Sequence, residues 1–172
     1  MSWLDLQYNL HQFFESGGIA LWMIAATMCL LWVLAVERYL YIYRWYPRLS
    51  QQWVSHWAQR QDKTTWQSRR LRELMISDAS LHLHAGLPLL KVLVTLCPLL
   101  GLLGTVIGMI EVFDTMAMLG TTNARAMASG ISRATISTMA GMVVALPGLY
   151  AHSQLEQRAK RETQRLVDQL TY

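Results

Sequence analysis

Two threonines, Thr105 and Thr138, stand inside long apolar stretches, "GLLGTVIGMI" over 101–110 and "ATISTMAGMVVALPGLYA" over 134–151. A hydroxyl donates one hydrogen bond and accepts two, so it can pass a proton along a chain of hydrogen bonds. It cannot hold that proton at physiological pH. The chemistry open to such a pair is relay, with the titrating group brought from elsewhere. The plain alternative is that each hydroxyl bonds the backbone carbonyl one turn back, as threonines in apolar helices commonly do. Other reactive side chains point nowhere. His82 and His84 in "LHLHAG" lack a Cys or acidic neighbour, and two imidazoles are too few for a metal site. Cys29 and Cys97 lie in apolar stretches, where a thiol acts as a small hydrophobe. "GLLGTVIG" lacks the Lys-Ser/Thr ending of a phosphate loop. No enzyme activity, cofactor or metal is expected.

The elements that carry the threonines follow from composition. Of 172 residues 53% are hydrophobic and 15% charged, against about a quarter charged in a soluble domain. The windows 19–36, 92–110 and 134–151 contain no Asp, Glu, Lys, Arg or His. Each is close to the roughly 20 residues that a helix needs to cross a bilayer core. In lipid the backbone must satisfy its own hydrogen bonds, so each is expected to be helical. The fold class is therefore all-α, a multi-pass membrane protein whose second and third spans form a long antiparallel hairpin. No Lys or Arg precedes the first apolar run, so it does not read as a cleavable signal. Trp3, Leu6, Leu10 and Phe13 share a helical face before Gly17 and Gly18, which suggests a short interfacial helix.

Charge sets the expected orientation. Arg44, Arg48, Arg60, Lys63, Arg69, Arg70, Arg72 and Lys91 lie between the first two spans, and Arg158, Lys160, Arg161 and Arg165 follow the third. Basic loops stay in the cytoplasm, so the N-terminus is expected outside and the C-terminus inside. The net charge of +4 then belongs to these loops rather than to a nucleic-acid surface. Tyr39, Tyr41, Tyr43, Trp45 and Tyr46 make an aromatic belt at the inner exit of the first span. The expected organisation is an outer amphipathic segment over 1–18, spans at 19–43, 89–117 and 130–155, a cytoplasmic helical segment over 44–88, an outer turn over 118–129 and a cytoplasmic C-terminal helix over 156–172. "RQDKTTWQSRRLRELM" reads as helix, with Thr64 or Thr65 as its cap.

Small residues recur at helical steps. Gly101, Gly104 and Gly108 fall on one side of the second span, and Ala134, Ser137, Gly141, Ala145 and Gly148 on one side of the third. Such stripes let backbones approach closely. Counting along the axis places Thr105 and Thr138 at one depth, each about 6 to 7 Å to the outer side of the middle of its span. Glu111 and Arg133 bound the two spans on the outer side, both about 14 to 15 Å from the middle. Arg133 is expected to pair with Glu111 or Asp114, with an acidic residue of another chain, or with lipid phosphates.

"CPLLGLLGTVIGMIEVF" followed by "GISRATISTMAGMVVALPGLY" resembles the second and third membrane helices of the MotA/TolQ/ExbB proton-channel family. "AVERYLYI", with Glu37 and Arg38, resembles its signature at the cytoplasmic end of the first. The resemblance implies that Thr105 and Thr138 are the family's two threonines on the proton pathway and that Pro147 is its matching proline in the packed third helix. It implies a homo-pentamer in the bacterial inner membrane, around an ExbD-like single-span protein carrying a membrane Asp. A TonB-like energy transducer is the further partner, and the function is a proton-driven motor that energises nutrient uptake through the outer membrane. Many members carry a Glu near the start of the third span where this chain has Arg133. That feature and the small cytoplasmic segment point to a short ExbB-type subunit of a second TonB system. A TolQ-like or motility stator subunit is the alternative within the family, and a membrane scaffold without ion conduction the alternative outside it. The windows 19–36, 92–110 and 134–151 hold no carboxylate, imidazole or amine, which accords with a titrating group supplied by another chain.

The orientation is directly testable. A cysteine at position 2 is expected to react with an impermeant thiol reagent added from outside, and one at position 172 only after the cytoplasmic side is opened. Equal reaction of both from the cytoplasm would overturn the topology.

Overall fold

A computed structural model describes the backbone of residues 3–46, 51, 53–55, 66–119 and 124–170, with side chains from Gly18 onward apart from those of 119, 124 and 126. Helix α1 runs Trp3–Leu40 and passes into a π-helical segment, Tyr41–Trp45. Helices α2 (Trp66–His84), α3 (Leu87–Leu119) and α4 (Ala124–Gln169) follow, with no strand among the described residues. Stretches long and apolar enough to cross a membrane lie in Gly18–Trp45, Trp66–Met118 and Met127–Gln169. The fold is thus all-α with three candidate spans. The apolar face of Trp3, Leu6, Leu10 and Phe13, the Thr64 or Thr65 cap, and Arg48, Arg60 and Lys63 lie outside the described side chains.

Local chemistry sets the breaks. Gly18 interrupts α1 at φ 60°, ψ −157°, which glycine adopts without steric cost. Between α2 and α3 the chain turns through Ala85 and Gly86, the latter at φ 78°. Pro88 stands in the first turn of α3, where its missing N–H costs no helical hydrogen bond. The π segment closes with the Tyr46 N–H donating to the Tyr41 carbonyl, five residues back. The third apolar stretch and the C-terminal helix are one continuous helix of 46 residues, because neither Gly nor Pro intervenes after Gly148.

The chain forms two compact units, one of residues 1–32 and 92–149, the other of 33–91 and 150–172. In the first, α3 and α4 run antiparallel in close contact along their small residues. A Cβ built on Gly141 would lie 2.6 Å from the Cys97 carbonyl oxygen and 3.1 Å from the Gly101 Cα. One on Gly108 would lie 3.2 Å from the Gly130 carbonyl oxygen. Gly104 receives Ser137, whose Cβ a side chain there would meet at 2.6 Å, and Ala20 of α1 closes the same point. Leu31 of α1 and Val94 of α3 press on Gly148. The opposite faces are apolar and bare, including Ile19, Leu99, Leu102, Val143 and Leu146, as lipid or another subunit requires.

The second unit has a core of its own. Ala35, Ile42, Tyr46, Ala79, Leu83, Leu87, Leu90, Leu155, Ala159, Leu166 and Leu170 form one buried cluster. Arg72 of α2 donates from Nε to the Leu170 carbonyl at 2.6 Å and from Nη2 to that of Val167 at 3.2 Å. A guanidinium there satisfies carbonyls that the end of α4 leaves open and meets the negative end of its dipole. The Tyr46 hydroxyl is buried without a hydrogen-bond partner among the described residues. Burial, then the nearby Glu162 and Tyr41, push its pKa up to about 12.

The contact at Gly141 yields a stability test. Gly141→Val sets a branched side chain against backbone and is expected to destabilise the protein by about 2 kcal/mol. Val at the exposed neighbour Met142 is expected to change little. Thermal melting in detergent distinguishes the two, and equal melting of both variants would refute a close approach at Gly141.

Candidate functional site

The geometry of α3 and α4 decides what Thr105 and Thr138 can do. Gly101 sits against the Thr138 backbone and Gly104 against Ser137. Thr105 therefore lies about two residues of rise, roughly 3 Å, nearer than Thr138 to the turn between α3 and α4. Equal depth was the expectation from counting; the register places them within one turn of each other instead. Both are half-buried. The Thr105 hydroxyl donates to the Leu102 carbonyl at 2.6 Å, and the Thr138 hydroxyl to that of Ala134 at 3.2 Å. Each proton is thus held by its own helix, while each oxygen keeps acceptor capacity. In this arrangement the hydroxyls can accept from a protonated acid. Donating to an ionised one requires them to rotate away from the carbonyl. The longer Thr138 bond is the easier of the two to exchange.

The expected packing residues separate by position. Gly101, Gly104, Gly108, Ser137 and Gly141 are buried, Ala145 is half-buried, and Pro147 is exposed on the single chain. Ser137 carries more than small size. It is 1% exposed and its Oγ has no hydrogen-bond partner among the described residues. A hydroxyl left so costs about 1–3 kcal/mol.

Near the turn that joins α3 to α4, Arg133 Nη1 donates to Glu111 Oε2 at 3.2 Å. Both side chains are about half exposed, at 50% and 52%. A cavity of about 170 Å³ opens beside the pair, lined by Glu111, Val112, Thr115, Ser129, Gly130 and Arg133. Glu111 and Thr115 are four residues apart on α3, as Ser129 and Arg133 are on α4. That i, i+4 spacing places each pair on one face. It was the available sign of a shared polar site, and Thr115 and Ser129 were missed because they lie beyond the uncharged windows.

In the second unit Glu37 is exposed and Arg38 is half-buried, with its Nε unpartnered among the described residues. The Arg38 guanidinium lies against Gly86, where a Cβ would come within 2.6 Å of Nε, and 5.8 Å from the Tyr41 ring centroid. Arg158 stands over the Tyr43 ring at 5.1 Å. His82 is within 3.7 Å of Asp78, so it does have an acidic neighbour, one helical turn back in sequence, contrary to the expectation from the local stretch. No group of three or more potential metal ligands occurs among the described residues.

The model of the MotA/TolQ/ExbB proton channel family matches residues 43–168, so the Glu37–Arg38 motif precedes the match. The biopolymer transport protein exbB1 of Vibrio cholerae is 37% identical over 90 residues, which are 52% of this chain and 40% of that protein. The biopolymer transport protein ExbB of Helicobacter pylori is 36% identical over 80 residues, 46% of this chain and 55% of that one. A Synechocystis protein described as ExbB-like 3 is 45% identical over 75 residues, 38% of this chain and 36% of its own. The chain thus spans little more than half the length of these relatives, or less. No solved structure matches it.

The outer ion pair can be tested by exchange. Half-exposed pairs contribute up to about 1 kcal/mol. Glu111→Arg and Arg133→Glu are each expected to lower the melting temperature, and the double exchange to restore it. Failure of the double variant to recover would reject the pairing.

Proposed function

The chain belongs to the MotA/TolQ/ExbB proton channel family, and on that premise we propose that it is the pore-forming subunit of an inner-membrane, proton-driven motor that energises TonB-dependent uptake. The observation that carries this reading is chemical. The apolar windows of α3 and α4 place hydroxyls within one turn of each other and contain no carboxylate, imidazole or amine. Proton transfer through them needs a carboxylate from a second chain, and a single-span partner with a membrane Asp supplies it. Relatives described as biopolymer transport proteins support the uptake role over a motility role.

The mechanism follows from the hydroxyl geometry. Copies of Thr138 around the partner's Asp accept a hydrogen bond from its protonated form while keeping their bonds to Ala134. On ionisation the hydroxyl turns to donate, replacing water that the apolar surroundings exclude. Thr105, tied at 2.6 Å, exchanges less readily and serves second. The proposed orientation puts the Glu111–Arg133 end outside and the core of the second unit in the cytoplasm. The small-residue faces hold each hairpin together and leave the bare apolar faces for lipid and for neighbouring copies in a pentamer.

Thr138→Val preserves shape and removes the hydroxyl. It is expected to assemble with its partner at normal yield and lose most proton-driven activity, while Thr138→Ser keeps part and Thr105→Val loses less. Growth on a receptor-dependent nutrient, with complex yield as control, measures this. Full activity of Thr138→Val at normal yield would leave Thr138 as a satisfied helix hydroxyl and remove the proposed role.

A further inference from the structure

Besides the outer cavity of about 170 Å³, a second and narrower cleft of about 10 Å³ adjoins the Glu111–Arg133 pair. It is lined by Gly18, Ile19, Ala20, Gly104, Ile107 and Gly108 together with Glu111 and Arg133. The two charged residues therefore border both spaces. The larger has room for several waters, and the smaller is about the least volume that accommodates one. At Gly104, which lines the cleft, lies the Ser137 hydroxyl, buried and without a hydrogen-bond partner among the described residues. Ser137 precedes Thr138 in sequence.

We propose that the Glu111–Arg133 pair is the outer intake of the proton path, with Glu111 passing protons from the hydrated cavity into the glycine-lined cleft. This rests on the proton-channel reading given above. A hydronium in the outer cavity transfers its proton to a Glu111 carboxylate oxygen and becomes water. The carboxylic acid then releases that proton to a water in the cleft and returns to the carboxylate. Ser137 takes up the hydrogen bond of the cleft water, which supplies the partner its hydroxyl otherwise lacks. Arg133 holds the carboxylate at the junction through Oε2. The remaining lining residues of both spaces are uncharged, and the hydroxyls of Thr115 and Ser129 can relay a proton but not hold one at physiological pH. The cleft is too small for a hydrated metal cation, whereas a proton crosses it by hopping along hydrogen bonds. Glu111 is thus a positioned relay that confers proton selectivity at the mouth.

The test uses the complex of this chain with its single-span partner, reconstituted in vesicles with a pH-sensitive dye inside. Glu111→Gln keeps the size of the side chain and still accepts a bond from Arg133, so a purely structural role survives it and a relay does not. Glu111→Gln is expected to lose most of the proton flux at wild-type yield, with a melting temperature lowered by no more than the loss of one half-exposed ion pair, and Glu111→Asp to keep part of the flux. Wild-type flux in the Gln variant would overturn the intake while leaving the channel reading intact. Absence of flux from the wild-type complex would overturn both. If Glu111→Gln does not assemble, a second measurement decides. With Cys29 and Cys97 replaced, Thr115→Cys is expected to react with an impermeant, charged thiol reagent added from outside, as a hydrated cavity requires. No reaction at that position would overturn the proposal.

Discussion

The close approach of α3 and α4 is the constraint on which the rest depends. Lipid tails are as apolar as leucine, so burial of Leu or Val against another helix brings little net drive in a bilayer. Contact between backbones, at distances only small residues allow, has to replace it. Gly101, Gly104, Gly108, Gly130 and Gly141 provide that contact. The register they set brings Thr138 against Gly101, Ser137 against Gly104 and Arg133 within reach of Glu111. A one-residue slip of this interface would dissolve each of these juxtapositions together.

A second division runs along the chain. The windows of the first unit carry hydroxyls and no titratable groups other than thiols, while charge lies in the N-terminal stretch with Asp5 and Glu15, near the turn between α3 and α4, and in the second unit. The second unit is organised as a soluble protein is, with a leucine-rich cluster and a guanidinium at a helix end. The two units follow different packing rules: backbone proximity at small residues in the first, apolar burial around leucines in the second.

The three uncharged windows, the hairpin and the packing faces of α3 and α4 were legible in the sequence, because each rests on periodicity or on exclusion of charge. The Glu111–Arg133 contact was one of several pairings that depth counting allowed. Less was visible where the outcome depends on register. Counting from span ends put Thr105 and Thr138 level, whereas the Gly101 and Gly104 contacts offset them by about two residues. Ser137 read as a small packing residue; only the arrangement of three helices around it leaves its hydroxyl without a partner among the described residues. The cavity beside Glu111 arises from side chains of two helices separated by the outer turn, which no single-helix pattern describes. The continuity of α4 was hidden for another reason. The change from apolar to charged composition at Glu156 was taken as a change of element, and the helix runs through it.

The π-helical segment at Tyr41–Trp45 fixes how this part of the chain can drift over evolutionary time. An α-helix advances about 100° per residue, and a π turn absorbs one additional residue without breaking the helix. Deletion of a single residue there would let the backbone close as ordinary α-helix, with every local hydrogen bond intact. Because the π turn takes up that residue, the helix beyond keeps its phase. Tyr46, 2% exposed in the core, stays among Leu166 and Leu170. One residue can therefore be gained or lost at this turn without turning the buried face outward, whereas a one-codon deletion in the α-helical stretch before it would rotate everything beyond by about 100°.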